Sequence, residues 1–236
     1  AWVSDPHALV HHWELNEEIG VKEATDSGSL AVFALTLKGD NAAFLGPDAG
    51  GGAALDGAGD YLDFGTGFAF AAADGFSFAG WVRHDAFQYS GEILHLRDGG
   101  SSYGDSTNWI SLLNHDRTRR ARVDIMNNGG TAKGFTTPDG STDPADLFFP
   151  PAGQWAHVAW TVTTAGAFAL YRDGATRDSW KKGDGVAINP NPVVYTSAFI
   201  GRSWTDAYYW GCKLRDVRLY AHAPGADEVA SLAAAQ

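Results

Sequence analysis

The sequence is short of the features that would assign it to a class at once. It has one cysteine, Cys212, in 236 residues, so no disulfide can close within the chain. No apolar run reaches the eighteen or so residues a bilayer-crossing helix needs. Positive charge is scarce: 17 Lys and Arg face 28 Asp and Glu, a formal net charge of −11. That balance argues against a nucleic-acid partner, whose phosphates need a continuous basic footprint, and against adsorption to an anionic bilayer. H-E-x-x-H and Cys-His metal motifs are missing. His11 and His12 are adjacent, so on a strand they face opposite ways and cannot share an ion. Helix signals are equally sparse. The one persuasive helix is Ala226–Ala234, following Pro224, with Asp227 and Glu228 near its positive end.

What the chain does have is glycine, aromatics and alternation. Its 29 Gly and 9 Pro punctuate short apolar runs, and aromatic residues make up 13%, nine of them Trp. The stretch Gln154–Gly174 sets the pattern. Trp155, His157, Ala159 and Thr161 alternate with Ala156, Val158, Trp160 and Val162, which is strand periodicity. After the break at Ala165-Gly166 a second strand runs through Phe168, Leu170 and Arg172 to Asp173-Gly174, a dipeptide suited to turns needing positive φ. Further strands are expected at His11–Leu15, Ser29–Lys38, twice within Ala53–Phe64, and at Phe76–Val82, Glu92–Leu96, Trp109–Leu113 and Arg122–Met126. Ala198–Gly201 and Cys212–Tyr220 complete the set. A dozen or so short strands without a composition break predict one all-β domain over 1–236, a sandwich of two antiparallel sheets with a short C-terminal helix. The turn-rich Asn127–Gly153 is too long for a hairpin and should cross between layers or fold over the surface.

Several segments, in order, resemble the laminin-G-like jelly roll of the concanavalin A-like lectin/glucanase superfamily. They are A-L-D-G-A-G-D-Y-L-D-F at 54–64, F-S-F-A-G-W-V-R at 76–83 and W-A-H-V-A-W-T-V at 155–162 with L-Y-R-D-G at 170–174. The closing piece runs from F-I-G-R-S at 199–203 to L-R-D-V-R-L-Y-A-H-A-P at 214–224, and H-W-E-L with T-D-S-G-S at 12–15 and 25–29 supplies the usual prelude. The resemblance implies a jelly-roll sandwich and an extracellular, cell-surface or luminal setting, and the opening Ala1 reads as a mature or trimmed chain. It also implies a structural calcium tying the early Asp turn to the last strand, at Asp26 and Asp216, with Glu14 or Glu17 as further ligands. The plainer alternative has Asp26 capping its own turn and Asp216 paired with Arg215 or Arg218.

This fold hosts binders and enzymes alike, so activity has to be read from side chains. Tyr89, Tyr103, Asn108 and Trp109, and Trp204, Asp206, Tyr208, Tyr209 and Trp210, put aromatic rings beside hydroxyl-bonding groups in loops, the composition of a carbohydrate-binding edge. The expected function is a non-catalytic module that recognises a glycan. An assembly or adhesion subunit whose aromatic loops meet a protein partner is the alternative. A hydrolase would need paired acids, about 5–5.5 Å apart for retention, yet Glu92 is followed by Leu94 and Leu96, and Asp124 stands alone. For a lyase, His95, Arg97 and Tyr103 form the one suitable trio. The cluster Arg117, Arg119, Arg120 and Arg122 suits either an acidic polysaccharide or, more plainly, a solvated turn.

Overall fold

Strand-forming side chains alternate between a shared interior and two outer faces, and this sets the architecture. The computed structural model describes residues 9–29, 33–69, 75–99, 106–127, 129, 133–137, 147–180, 193–205 and 207–235. In chain order the strands are β1 Leu9–Trp13, β2 Glu23–Ala24, β3 Leu35–Lys38, β4 Ala43–Phe44, β5 Ala53–Asp56, β6 Tyr61–Asp63, β7 Phe68–Ala69, β8 Phe76–His84 and β9 Glu92–Arg97. They continue with β10 Trp109–His115, β11 Arg120–Met126, β12 Lys133–Thr136, β13 Trp155–Val162, β14 Phe168–Arg172, β15 Ala175–Trp180, β16 Val194–Tyr195, β17 Ser197–Ile200 and β18 Gly211–Tyr220, before helix α1 at Ala226–Ala234. Among the described residues there are two eight-stranded antiparallel sheets. The first runs β15-β14-β13-β8-β18-β5-β4 with β1 also on β18, the second β12-β11-β10-β9-β17-β6-β3-β2, and β7 pairs with β16 separately.

The predicted alternation in β13 holds: Ala156, Val158, Trp160 and Val162 join the core between the sheets, as do Phe76, Phe78 and Val82 of the neighbouring β8. Trp155, His157, Ala159 and Thr161 take the outer face. There α1 packs Val229 and Leu232 on Ala79, Ala159, Tyr171 and Tyr220. The turn after β14 has positive φ at both Asp173 (53°) and Gly174 (77°), the geometry that matches the twist of a two-residue hairpin.

The two short strands expected within Ala53–Phe64 are present, and they separate: β5 lies in the first sheet and β6 in the second. Buried Asp60 holds that corner by accepting bonds from the Asp56 and Asn41 N–H groups, so a glycine-marked turn here links layers instead of neighbours. At the start, β1 ends at Trp13 because Leu15 has φ 59°, outside the strand region. Cys212 is fully buried, and burial pushes its thiol well above the usual range.

Candidate functional site

The outer face of the second sheet carries a set of polar groups that simple alternation does not reveal. Strand β9 pairs with β10 through His95↔Ser111 and Leu94↔Leu112, and then the register slips so that Leu113 faces Glu92. The extra residue is Ile93, which belongs to the core with Leu94 and Leu96. A bulge of this kind re-aims the side chain beyond it. Glu92 therefore shares the outer face with His95, not with Leu94 and Leu96 as strict alternation predicts. Across β10 the row continues from Ser111 to Asp124 on β11 and Gly134 on β12.

These residues line a cavity of about 300 Å³ together with Trp109, Arg122 and Trp204. The half-buried rings of Trp109 and Trp204 are large apolar surfaces beside the polar floor. The Arg97 guanidinium lies 4.5 Å from the Trp204 ring centroid and also bonds Ser106, so a cation–π contact sets that ring from behind. At the β11 side, Arg122 forks onto Asp124 with Nε at 2.8 Å and Nη2 at 3.1 Å. Gly134 opposite leaves the fork its room, since a Cβ there would run into the Asp124 carboxylate.

Charge on the floor is set by burial. Glu92 is 7% exposed. Burial, helped by the Asp124 charge and opposed by bonds from Ser111 and Ser203 and by Arg122, pushes its carboxyl up to about 8. His95 is 3% exposed and is pushed down to about 3 by burial and by the charges of Arg97 and Arg202. Neither His95 nitrogen has a hydrogen-bond partner; Nδ1 lies 3.9 Å from Glu92 Oε1, beyond bonding distance. Asp124 is also raised, by burial first, against the pull of Arg122. Burial thus favours the neutral forms of Glu92 and His95, beside the Arg122–Asp124 fork.

Of the sequence-predicted binding residues, Trp109 and Trp204 meet at this cavity. Tyr89 and Tyr208 pair with each other, ring centroids 5.8 Å apart, and are not among its lining residues. Tyr209 joins Tyr61 and Phe199 around the Arg202 guanidinium. Trp210 is corrected: it is fully buried in the core and not in an exposed loop, packed edge-on to His84 with centroids 5.0 Å apart. Asn108 is buried and bonds Asp98 through both backbone and side chain, so it pins a loop. Tyr103 and Asp206 lie outside the described residues. The arginine run is a buckle: Arg119 donates to the Phe149 carbonyl and Arg120 to that of Thr137, fastening two loop segments to the β10–β11 hairpin.

The two predicted calcium ligands are organised differently from the cavity. Asp26 accepts four bonds, from His11 Nδ1 at 2.7 Å and from the N–H groups of His12, Gly28 and Phe33. Burial alone would raise its pKa, but these donors outweigh it and hold the carboxyl below the usual range. Asp216 sits at φ 53° in a bulge of β18. Its Oδ1 accepts from His12 Nε2 at 2.7 Å and Arg218 Nε at 2.8 Å, and these lower its pKa against burial. His11 turns inward against Trp13, Phe33 and Phe68, whereas His12 turns outward to Asp216. The acids are thus held by diverging imidazoles and already saturated or cation-paired, a donor set that does not fit Ca²⁺, which wants six to eight converging oxygens. Among the described residues no three His, Cys, Asp or Glu side chains gather as a metal shell.

A sandwich of two antiparallel sheets is an architecture that lectin domains share. The chain belongs to the concanavalin A-like lectin/glucanases superfamily, whose Laminin_G_3 family model matches residues 55–230. No curated protein matches the sequence. Among solved structures it is similar to domain 4 of AbnA, a GH43 extracellular arabinanase from Geobacillus stearothermophilus, in complex with arabinotriose. There the TM-score is 0.67 at 17% identity, over 96% of this chain and 98% of that one. The botulinum neurotoxin serotype D binding domain matches with TM-score 0.67 at 13% identity, over 99% of this chain and 53% of the toxin domain. Trypanosoma rangeli sialidase in complex with sialic acid gives 0.62 at 16%, over 96% and 32%. At these identities the likeness shows the fold.

Proposed function

We propose that this chain is a non-catalytic carbohydrate-recognition domain that acts outside the cell and binds a glycan in the cavity on the outer face of the second sheet. The observation that carries the reading is the combination in one cavity of two tryptophan walls with a buried polar floor on which neither nitrogen of His95 has a partner. Sugars present apolar ring faces flanked by hydroxyls, and a site with rings at the side and donors and acceptors at the base complements both. Buried polar atoms without partners are rare in folded proteins; His95 has two in this one place. The arabinotriose held by the AbnA domain supports the choice of oligosaccharides as probes.

The reading is non-catalytic because the two carboxyl groups do not make a hydrolytic pair. Asp124 is bound bidentately by Arg122, which occupies one lone pair on each oxygen and fixes the carboxylate against the sheet. Only Glu92 is left, as an acid without its counterpart. Asp26 and Asp216 act in this account as ties between the chain's early turn and its last strand, with no ion. No helix among the described residues is long and apolar enough to cross a membrane. The test is calorimetric titration with a panel of oligosaccharides that includes arabinotriose, alongside a reducing-end assay of the same mixtures. Binding without turnover is expected. Release of new reducing ends, lost in Glu92→Gln, would overturn the non-catalytic half.

A further inference from the structure

The groups on the cavity floor also say which kind of sugar fits and when it leaves. Resting on the glycan reading above, we propose that Glu92 engages the ligand as a neutral carboxylic acid that donates its proton to a sugar oxygen, beside a neutral His95. The site then selects uncharged over acid-bearing sugars and releases them as Glu92 ionises.

Glu92 lies buried between the hydroxyl of Ser111 on β10 and the imidazole of His95 on its own strand. The charges that face this corner are Arg97 on β9, Arg122 and Asp124 on β11, and Arg202 after β17. Each is already engaged. Arg122 and Asp124 fork onto each other, Arg97 stacks on Trp204, and Arg202 is stacked on Tyr61 and Phe199. His115, at the far end of β10, pairs with Asp116 at 2.9 Å. Among the described residues no Lys or Arg forms an ion pair with Glu92 and no backbone N–H gathers on it as on Asp26, so burial favours its protonated form. Its rise to about 8 agrees with that geometry.

Neutral His95 then offers one N–H donor and one bare nitrogen acceptor, and Glu92 adds a second donor. Sugar hydroxyls, each both donor and acceptor, satisfy such a set. A uronate or sialate carboxylate fits less well: among the described residues the guanidiniums nearest the floor are stacked on rings or forked onto Asp124, and it meets Asp124 at the wall. Once Glu92 ionises, its donor is gone and two carboxylates face one cavity.

The test has a ligand-free arm and a binding arm. Infrared difference spectra of the wild type between about pH 6 and about pH 10, compared with Glu92→Gln, should show a protonated carboxyl band at neutral pH that bleaches near pH 8 and is missing in the variant. Titrations with arabinotriose and lactose as neutral probes, and with sialyllactose and trigalacturonate as acidic ones, should show neutral probes preferred. Their affinity should fall about 100-fold from pH 6 to pH 10, because binding then requires a form depleted about tenfold per unit above the pKa. The Gln variant should give a flat profile. An ionised Glu92 at neutral pH, a flat wild-type profile, a Gln variant that keeps the alkaline fall, or tighter binding of an acidic probe overturns the inference. A protonated Glu92 with no probe bound instead sinks the glycan reading, and the ligand half of this inference with it.

Discussion

Two carboxylates, Asp26 and Glu92, are both nearly closed to solvent and end in opposite states. Asp26 is 5% exposed and Glu92 7%, yet one is pulled below the ordinary carboxylate range and the other pushed up to about 8. Glu92 is enclosed more deeply by protein atoms, and Asp26 gathers more donors; both differences push the two acids apart. Four N–H groups converge on Asp26, and the chain delivers them by placing the T-D-S-G-S turn against β1. Glu92 receives hydroxyl bonds and the distant help of an arginine committed elsewhere. A carboxylate whose bonding is completed by its own chain is a tie. One left short, beside an imidazole with both nitrogens bare, faces a ligand.

The comparison breaks most severely at Asp26. Replacing it with Ala strands the His12, Gly28 and Phe33 N–H groups and the His11 ring, and should cost about 3 kcal/mol or more in urea unfolding. Trp109→Ala or Trp204→Ala should leave the urea midpoint close to wild type while weakening oligosaccharide binding about 30-fold, the loss expected of about 2 kcal/mol at a central aromatic. Glu92→Gln sharpens the contrast through pH. A raised folded pKa means the folded state holds the proton longer than the unfolded chain, so this contribution is full below about pH 4.5 and is lost as pH rises through about 8. Measured against wild type, the variant should therefore be favoured by about 4 kcal/mol more near pH 8 than near pH 4, read from unfolding at both values. Asp26 and Asp216, held low, work in the other direction: their support is present above pH 3.8 and drains away below it. Smallest of all should be the effect of millimolar Ca²⁺ on the thermal midpoint of metal-stripped protein. The account predicts no shift, because no oxygen of Asp26 is open to it. A clear rise abolished by Asp216→Ala would restore the ion.

Much of the fold was legible in the chain because strand periodicity needs only neighbours. β8 and β13 emerge from their own alternation, the β14 turn from Asp173-Gly174, and helix α1 from Pro224 and its acidic first turn. The corner at Asp60 was not legible, since a tight glycine turn looks the same whether it joins paired strands or opposite sheets. The site was half legible. Trp109 and Trp204 stood out as aromatic residues in polar surroundings, but so did Trp210, which the fold turns into the core against His84. Glu92 was hidden by one residue: without the bulge at Ile93 its parity places it with Leu94 and Leu96, and the acid never meets His95 or Asp124. Register slips of this kind depend on the partner strand, which local sequence does not contain.

The most direct test of the central claim, that the outer face of the second sheet is a glycan site, is an amide NMR titration of ¹⁵N-labelled protein with the oligosaccharide panel. The account predicts shifts gathered on Glu92–Arg97, Trp109–Ser111, Arg122–Asp124 and Trp204, with the Asp26 turn silent. Shifts centred instead on Trp81, Trp155 and Arg215 of the first sheet, or none from any sugar in the panel, would contradict it.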